Sequence, residues 1–290
     1  MSNFYIITDS GCDLSQDYVD AWGLGYVPLS LNYPEKSHYL YADFRGLGVK
    51  EFYQSMRDGA APTTSATTSE QWVEVATPAL EAGQDVLLMA FSSGISATYQ
   101  SSVIAMQELK ERFPERKIYA PDNLCVSLGL GLLVKDVVKL RDNGGSIEDA
   151  VAFIENNKQR LAHWFTVETL TYLHRGGRVS TATAIAGNVL GIKPILHVDD
   201  EGRLVSMSKK RGRKASLQAL ADKVVETIEN PEEQDIFISH GDCIDDVKTL
   251  EAMLRERINF KECYANYVGP VIGAHSGPGT MAVFFYAKER

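Results

Sequence analysis

The chain has 290 residues, 44% hydrophobic and 23% charged, and 29 Lys and Arg against 38 Asp and Glu give a net charge of −9. At roughly 150 residues per domain this length allows one large or two ordinary domains, and the apolar content supports a large core and excludes a disordered chain. An acidic chain without a dominant basic face argues against general nucleic-acid binding, where phosphate neutralisation supplies most of the affinity.

No apolar run approaches the ~20 residues of a membrane-spanning helix. The longest, Leu124 to Val134, is interrupted by Ser127 and followed by Lys135 and Asp136, so no stable membrane insertion is expected. The opening MSNFYIITDSG has no basic segment and reaches Asp9 at once, unlike a secretory signal. Cys12, Cys125, Cys243 and Cys263 make no CxxC pair and no metal spacing, which reads as isolated reduced thiols in a cytoplasmic protein without a metal site.

In chain order, Phe4–Thr8 is a short β-branched run ending at Asp9-Ser10-Gly11, a buried strand and a turn. Tyr26–Leu31 reads as one strand, Val49–Arg57 as a helix, residues 61–69 as a hydroxyl-rich loop, and Glu70–Glu81 as a helix with Gly83 as C-cap. Asp85–Phe91 is a second buried strand, followed by Ser92-Ser93-Gly94-Ile95-Ser96 and a helix from Ala97 to Arg112. Lys117–Ala120 is a short strand; Leu124–Arg141 and Ile147–Gln159 are helices. Strands alternating with helices predict a mostly parallel sheet covered on both faces, with ligands beyond the carboxyl ends of its strands.

Past a boundary near residue 160 the pattern changes. His163–Val167 is strand-like, Leu170–Arg175 a short helix closed by Gly176-Gly177, and Thr181–Leu190 a small-residue helix. Pro194–Val198, Leu204–Ser208, Ile236–Ser239, Glu262–Val268 and Met281–Ala287 are strands; Ala215–Ile228 and Asp245–Arg257 are amphipathic helices. The fold class is therefore α/β with two domains: residues 1–160 with a mostly parallel sheet, and 161–290 an α+β unit with a mixed sheet.

Three segments could carry chemistry. Short hydroxyls at Thr64 and Ser65, and at the Ser92–Ser96 turn before a helix, could form an anion site together with free helix-start N–H groups. The same serines could simply cap the helix. His275 lies in a Gly-rich, strand-breaking turn that lets backbone approach a ligand. Arg175 and Arg178 bracket the Gly pair, where they could steady a carboxylate. The run Lys209-Lys210-Arg211-Gly212-Arg213-Lys214 is either a solvated surface or a docking patch for an anionic partner. Gly94-Ile95-Ser96-Ala97-Thr98 carries the first part of GxSxG without its last glycine, so a serine esterase or thioesterase using Ser96 or Ser93 with His275 is the competing reading. Neither a phosphate-binding P-loop nor GxGxxG after the first strand is found.

Together these segments resemble the DegV family, the fatty-acid-binding proteins that form the lipid-carrying subunit of bacterial fatty acid kinase. Thr8-Asp9-Ser10, Pro62-Thr63-Thr64-Ser65, the stretch from Ser92 to Gln100, Leu170 to Val179, Ile192-Lys193-Pro194-Ile195-Leu196 and Gly269 to Thr280 carry the resemblance, in the family's order. It departs at Ala66 (usually Gln), Ala97 (usually Gly) and Ser276 (usually Thr). The resemblance implies that a long-chain fatty acid is the ligand, with no cofactor. Its carboxylate would meet Thr64, Ser65, Ser93 and Ser96, with His275 and Arg178 adjacent or one water away. It implies no bond chemistry by this chain, since a separate ATP-dependent kinase subunit would phosphorylate the carboxylate. Arg175, Lys209, Lys210, Arg211 and Arg213 are the expected docking residues for that subunit. A third reading, from the likeness to the substrate-binding subunit of dihydroxyacetone kinase, is covalent capture of a carbonyl on His275.

Overall fold

A computed structural model describes residues 4–181 and 191–290. In chain order the first half runs β1 (Phe4–Asp9), α1 (Gln16–Ala21), β2 (Gly25–Val27), β3 (Ser30–Asn32), β4 (Ser37–Tyr39), α2 (Val49–Arg57), β5 (Thr63–Ser65), α3 (Ser69–Glu81), β6 (Asp85–Met89), α4 (Thr98–Arg112), β7 (Ile118–Tyr119), α5 (Ser127–Asp142) and α6 (Ile147–Asn157). The second continues with β8 (Leu161–Thr166), α7 (Thr171–Arg175), β9 (Ile192–Val198), β10 (Leu204–Arg211), α8 (Arg213–Thr227), β11 (Ile236–His240), α9 (Ile244–Arg255), β12 (Cys263–Tyr267), α10 (Pro270–Ser276) and β13 (Met281–Tyr286). Strands β2-β1-β6-β7 form an all-parallel sheet. Strands β10-β9-β8-β13-β11-β12 form a mixed sheet, antiparallel except for β11 and β12.

The parallel strands are apolar without a break because both of their faces are covered. Ile7 and Leu88 face the α3 side with Trp72 and Leu80, whereas Ile6 and Leu87 face α5 with Leu130 and Val134. The second face does not stop at residue 160. Leu128, Leu130 and Val134 of α5 share one buried cluster with Ile6 and Met89 of the first sheet and with Phe165, Leu196 and Phe284 of the second. Helix α5 is thus the filling between two sheets. This explains why ten of its residues are buried and why its sequence reads as the longest greasy run.

The structure departs from the sequence reading at several places. Tyr26–Leu31 is not one strand: Pro28 has no N–H for a ladder, so the chain splits into β2, in the parallel sheet, and β3, in a small antiparallel sheet of order β4-β3-β5. Thr63–Ser65, expected as loop, is the β5 strand of that sheet. His275 lies in a helix, α10, started by Pro270 and closed by Gly277, and not in an irregular turn. Helix α1 and strand β4 have no counterpart in the expectations, and β10 runs three residues beyond Ser208, through Lys209 and Lys210 to Arg211. The predicted Thr181–Leu190 helix falls, apart from Thr181, outside the described residues.

Candidate functional site

Between the two sheets lies a cavity of about 190 Å³. Apolar cavities of about 150 Å³ already stay dry and accept apolar guests. Its walls are largely Phe91, Phe165, Leu173, Val198, Leu204, Val268, Val271, Ala282 and Phe284, and its polar lining includes Thr64, Ser96, Arg178, His275 and Ser276.

The small antiparallel sheet places Thr64. In β5 the side chains alternate, and Leu31 of β3 lies opposite Thr64. Thr64 therefore turns inward while Thr63 and Ser65 are exposed. Helix α10 brings His275 to the same point, with Nε2 2.7 Å from the Thr64 Oγ1. Burial, aided by the Arg178 and Arg175 guanidinium groups, pushes the His275 pKa down to about 4, so the ring is neutral at pH 7. Its Nδ1 is buried and makes no hydrogen bond among the described residues. A proton on Nδ1 would be a buried donor without a partner. We therefore assign it to Nε2, which donates to Thr64 and leaves the Thr64 hydroxyl proton free to meet a ligand oxygen. The neighbouring Ser276 hydroxyl is also buried and unpartnered among the described residues, and it too is a donor available to the cavity.

The Gly176-Gly177 pair has two separate reasons. Gly176 has ordinary helical angles, but a Cβ there would sit 2.0 Å from the His275 Nδ1. Gly177 has φ +73°, with nothing within 4 Å of its missing Cβ among the described residues beyond its chain neighbours; it supplies the left-handed turn that ends α7. That turn returns the chain so that Arg178 N–H donates to Leu173 O at 2.8 Å. The half-buried Arg178 side chain donates to Gly176 O and lines the cavity, and burial lowers its pKa.

Not every expected residue arrives. Thr64, Ser96, Arg178 and His275 line the cavity; Ser65 and Ser93 do not. The Ser65 hydroxyl accepts from Asn32 Nδ2 at 2.9 Å on the outer side of β5. Ser93 is exposed and its hydroxyl donates to Asp122. Ser96 also serves α4, accepting from Thr98 N–H at 3.2 Å, so its capping and lining roles coexist. Arg175 is exposed and lies over the Tyr172 ring, 5.2 Å from its centroid. Lys209, Lys210 and Arg211 are exposed on β10, the outer strand of the mixed sheet. Arg213 departs from a free docking role: it starts α8 and is turned onto Asp246, Nε to Oδ2 2.9 Å. Sequence reasoning passed over three further lining residues, Ser127, His163 and Ser239. The signal for two of them was a polar residue interrupting an otherwise continuous apolar run.

The esterase arrangement is not assembled. His275 engages Thr64, Ser96 donates to Thr98 Oγ1 at 3.0 Å, and no carboxylate hydrogen-bonds His275 among the described residues. A triad needs the base in reach of the nucleophile and an acid behind it.

The family model described as "Uncharacterised protein, DegV family" matches residues 3–288. The chain belongs to the DegV family. A DegV domain-containing protein of Clostridium perfringens is 41% identical over 290 residues, covering 100% of this chain and 99% of its own. The solved structure of a fatty-acid-binding DegV family protein from Thermus thermophilus is 32% identical and superposes with a TM-score of 0.88, covering 98% of this chain and 99% of that one. A DegV lipid-binding protein from Thermotoga maritima is 26% identical with a TM-score of 0.87 and full coverage of both chains. The DegV fold, a parallel sheet followed by a mixed one, is thus shared throughout. Among the described residues no helix is long and apolar enough to cross a membrane.

Proposed function

We propose that this DegV protein binds a long-chain fatty acid, tail inward, and presents the carboxylate to a partner kinase that converts it to an acyl phosphate. One observation carries the binding step: an apolar cavity is lined by a Ser276 hydroxyl, buried and unpartnered among the described residues, and by a Thr64 hydroxyl that His275 orients. Buried donors without partners cost about 1–3 kcal/mol each, and a carboxylate supplies their acceptors. Arg178 adds the countercharge. Each methylene removed from water contributes about 0.8 kcal/mol, so the channel supplies affinity and the hydroxyls supply orientation. The fatty-acid-binding Thermus relative and a stearic-acid-binding relative from Eubacterium ventriosum, 25% identical with a TM-score of 0.85, support this ligand class.

In this reading the chain performs no bond chemistry. Its motifs resemble the lipid-carrying subunit of fatty acid kinase, and phosphate donor and metal come with the partner. Exposed Arg175, Lys209, Lys210 and Arg211 are the proposed docking cations, in the cytoplasm. Native mass spectrometry of protein purified from bacteria tests the ligand: a co-purified fatty acid is expected. Protein that carries none, and takes up no added palmitate, refutes the proposal.

A further inference from the structure

The channel has a second polar spot. Thr64, His275 and Ser276 reach it from β5 and α10, whereas Ser127 and Ser239 reach it from α5 and β11. Residues of β11 alternate between its two faces. Ile236 and Ile238 share a cluster with Leu220 and Leu250 on the outer side, and Phe237 shares one with Leu130 of α5 on the inner side. Ser239 therefore faces inward, beside Ala282 of β13, in the wall along which a tail would lie.

The two serines are joined to a buried carboxylate. The Ser127 hydroxyl lies against Asp13 Oδ2 and 2.9 Å from the Ser239 Oγ. Asp13 Oδ1 accepts from Gly269 N–H at 2.9 Å, and the Asp13 carbonyl accepts from Asn266 Nδ2 at 2.8 Å. Asp13 and Ser127 both hold left-handed backbones, φ +54° and +53°, which an L side chain adopts only under constraint. The chain Asp13–Ser127–Ser239 is thus fixed at its outer end and meets the channel at Ser239. Asp13 does not need Ser239, because Gly269 and Ser127 already serve its two carboxylate oxygens. Packing does not need it either, since alanine would leave the same room. Ser239 is fully buried, and Ser127 is the only partner of its hydroxyl among the described residues.

Ser127 has one hydroxyl proton for two oxygen neighbours. With Asp13 ionised, that proton goes to Asp13, Ser239 donates to Ser127, and the Ser239 oxygen keeps its lone pairs for a donor in the channel. With Asp13 protonated, the order reverses and the Ser239 proton is left for an acceptor in the channel. A hydroxyl is donor and acceptor in one group, so it satisfies Ser239 in either state; a methylene satisfies it in neither. The nearby lining residue His163 is already committed, with Nε2 accepting from Val126 N–H at 3.2 Å and Nδ1 2.8 Å from Leu161 O.

We propose that Ser239 reads an oxygen on the tail: the channel takes long-chain fatty acids that carry a hydroxyl on an interior carbon, held at the end of the Asp13–Ser127–Ser239 chain. The inference rests on the fatty-acid reading and deepens it by naming the substrate class. A tail hydroxyl entering a wholly apolar channel gives up its water without replacement; Ser239 replaces it.

The test compares stearate with 10-hydroxystearate and 12-hydroxystearate, by calorimetry on the delipidated full chain. Wild-type protein is expected to bind at least one hydroxystearate within about twofold of stearate or more tightly. Ser239→Ala removes one oxygen, and a thermal melt checks its fold. It is expected to weaken that isomer at least about tenfold, about 1.4 kcal/mol, and to keep stearate within about twofold. Wild-type protein that binds stearate but holds both hydroxystearates more weakly than that overturns the proposal, and so does a Ser239→Ala variant that loses affinity for both kinds of ligand or for neither. Wild-type protein that binds none of the three overturns the fatty-acid reading beneath it, a distinguishable failure.

Discussion

Gly176→Ala separates the site from the scaffold. The backbone at Gly176 is helical, so alanine is conformationally welcome there and by itself stabilises by about 0.4–1 kcal/mol through the unfolded chain. Its methyl carbon, however, would sit 2.0 Å from the His275 Nδ1, and the ring must move. Moving it breaks the 2.7 Å contact with Thr64. The lost bond contributes about 0.5–1.5 kcal/mol and a stranded buried polar group costs about 1–3, which outweighs the gain through the unfolded chain, so the melting temperature should fall and fatty-acid affinity should drop with it, on the order of tenfold or more. Gly177→Ala is the control. Its φ of +73° costs an L-residue about 1–2 kcal/mol, but among the described residues beyond its chain neighbours no atom lies within 4 Å of the new methyl; it should lower the melting temperature and leave palmitate affinity intact. Titration calorimetry and thermal melts read both. Identical behaviour of the two variants, or full palmitate affinity in Gly176→Ala, would refute the claim that His275 positions the ligand hydroxyl.

Thr64→Val keeps the shape, removes the hydroxyl and strands His275; palmitate affinity should drop by about 1–3 kcal/mol, whereas Ser65→Ala and Ser93→Ala, whose hydroxyls meet Asn32 and Asp122 outside the cavity, should stay within about twofold in the same assay. Ala282→Phe puts a ring into the channel wall; displacing three or four methylenes at about 0.8 kcal/mol each should cost an 18-carbon acid about two orders of magnitude in affinity and a 12-carbon acid much less. Burial holds His240 down to about 4. Its unfolded form therefore takes up a proton first as pH falls below 6.5, and stability is lost on acidification, by roughly 2 kcal/mol between pH 7 and pH 5. His240→Asn, which keeps an acceptor for Cys243 N–H, should remove that increment in urea melts at the two pH values; an unchanged difference contradicts the assignment. Asp9 and Asp13 act in the opposite direction, because burial raises both to about 7: they bind protons in the native state first and add stability as pH falls from 7 toward 4.

The elements that periodicity specifies were readable. Phe4–Thr8 and Asp85–Phe91 are apolar on both faces because both faces are covered, and α2 and α9 carry plain amphipathic stripes. What could not be read was pleat and contact. Thr64 and Ser65 are equivalent in linear order; only pairing with β3 decides which turns inward. Ser92, Ser93 and Ser96 form one polar cluster on paper, yet in space they hold a hairpin turn, Asp122 and the channel wall in turn. The run from Val271 to Thr280 reads as irregular because glycines ordinarily break regular elements. Gly273 instead makes room in α10 for Tyr53, whose hydroxyl would lie 2.7 Å from a Cβ there. Arg213 looked like one more surface cation and is committed to Asp246. Side-chain partners brought from more than 30 residues away leave no periodic mark.

Because α5 is wedged between two sheets, the space for the tail is hollowed out of the same interior that joins them. A guest lodged there replaces missing side chains and works as a removable piece of the protein. Occupancy should therefore raise the unfolding midpoint in step with ligand concentration, by RT ln(1 + [L]/Kd), and the emptied molecule, having surrendered its cargo, is the more fragile of the two forms.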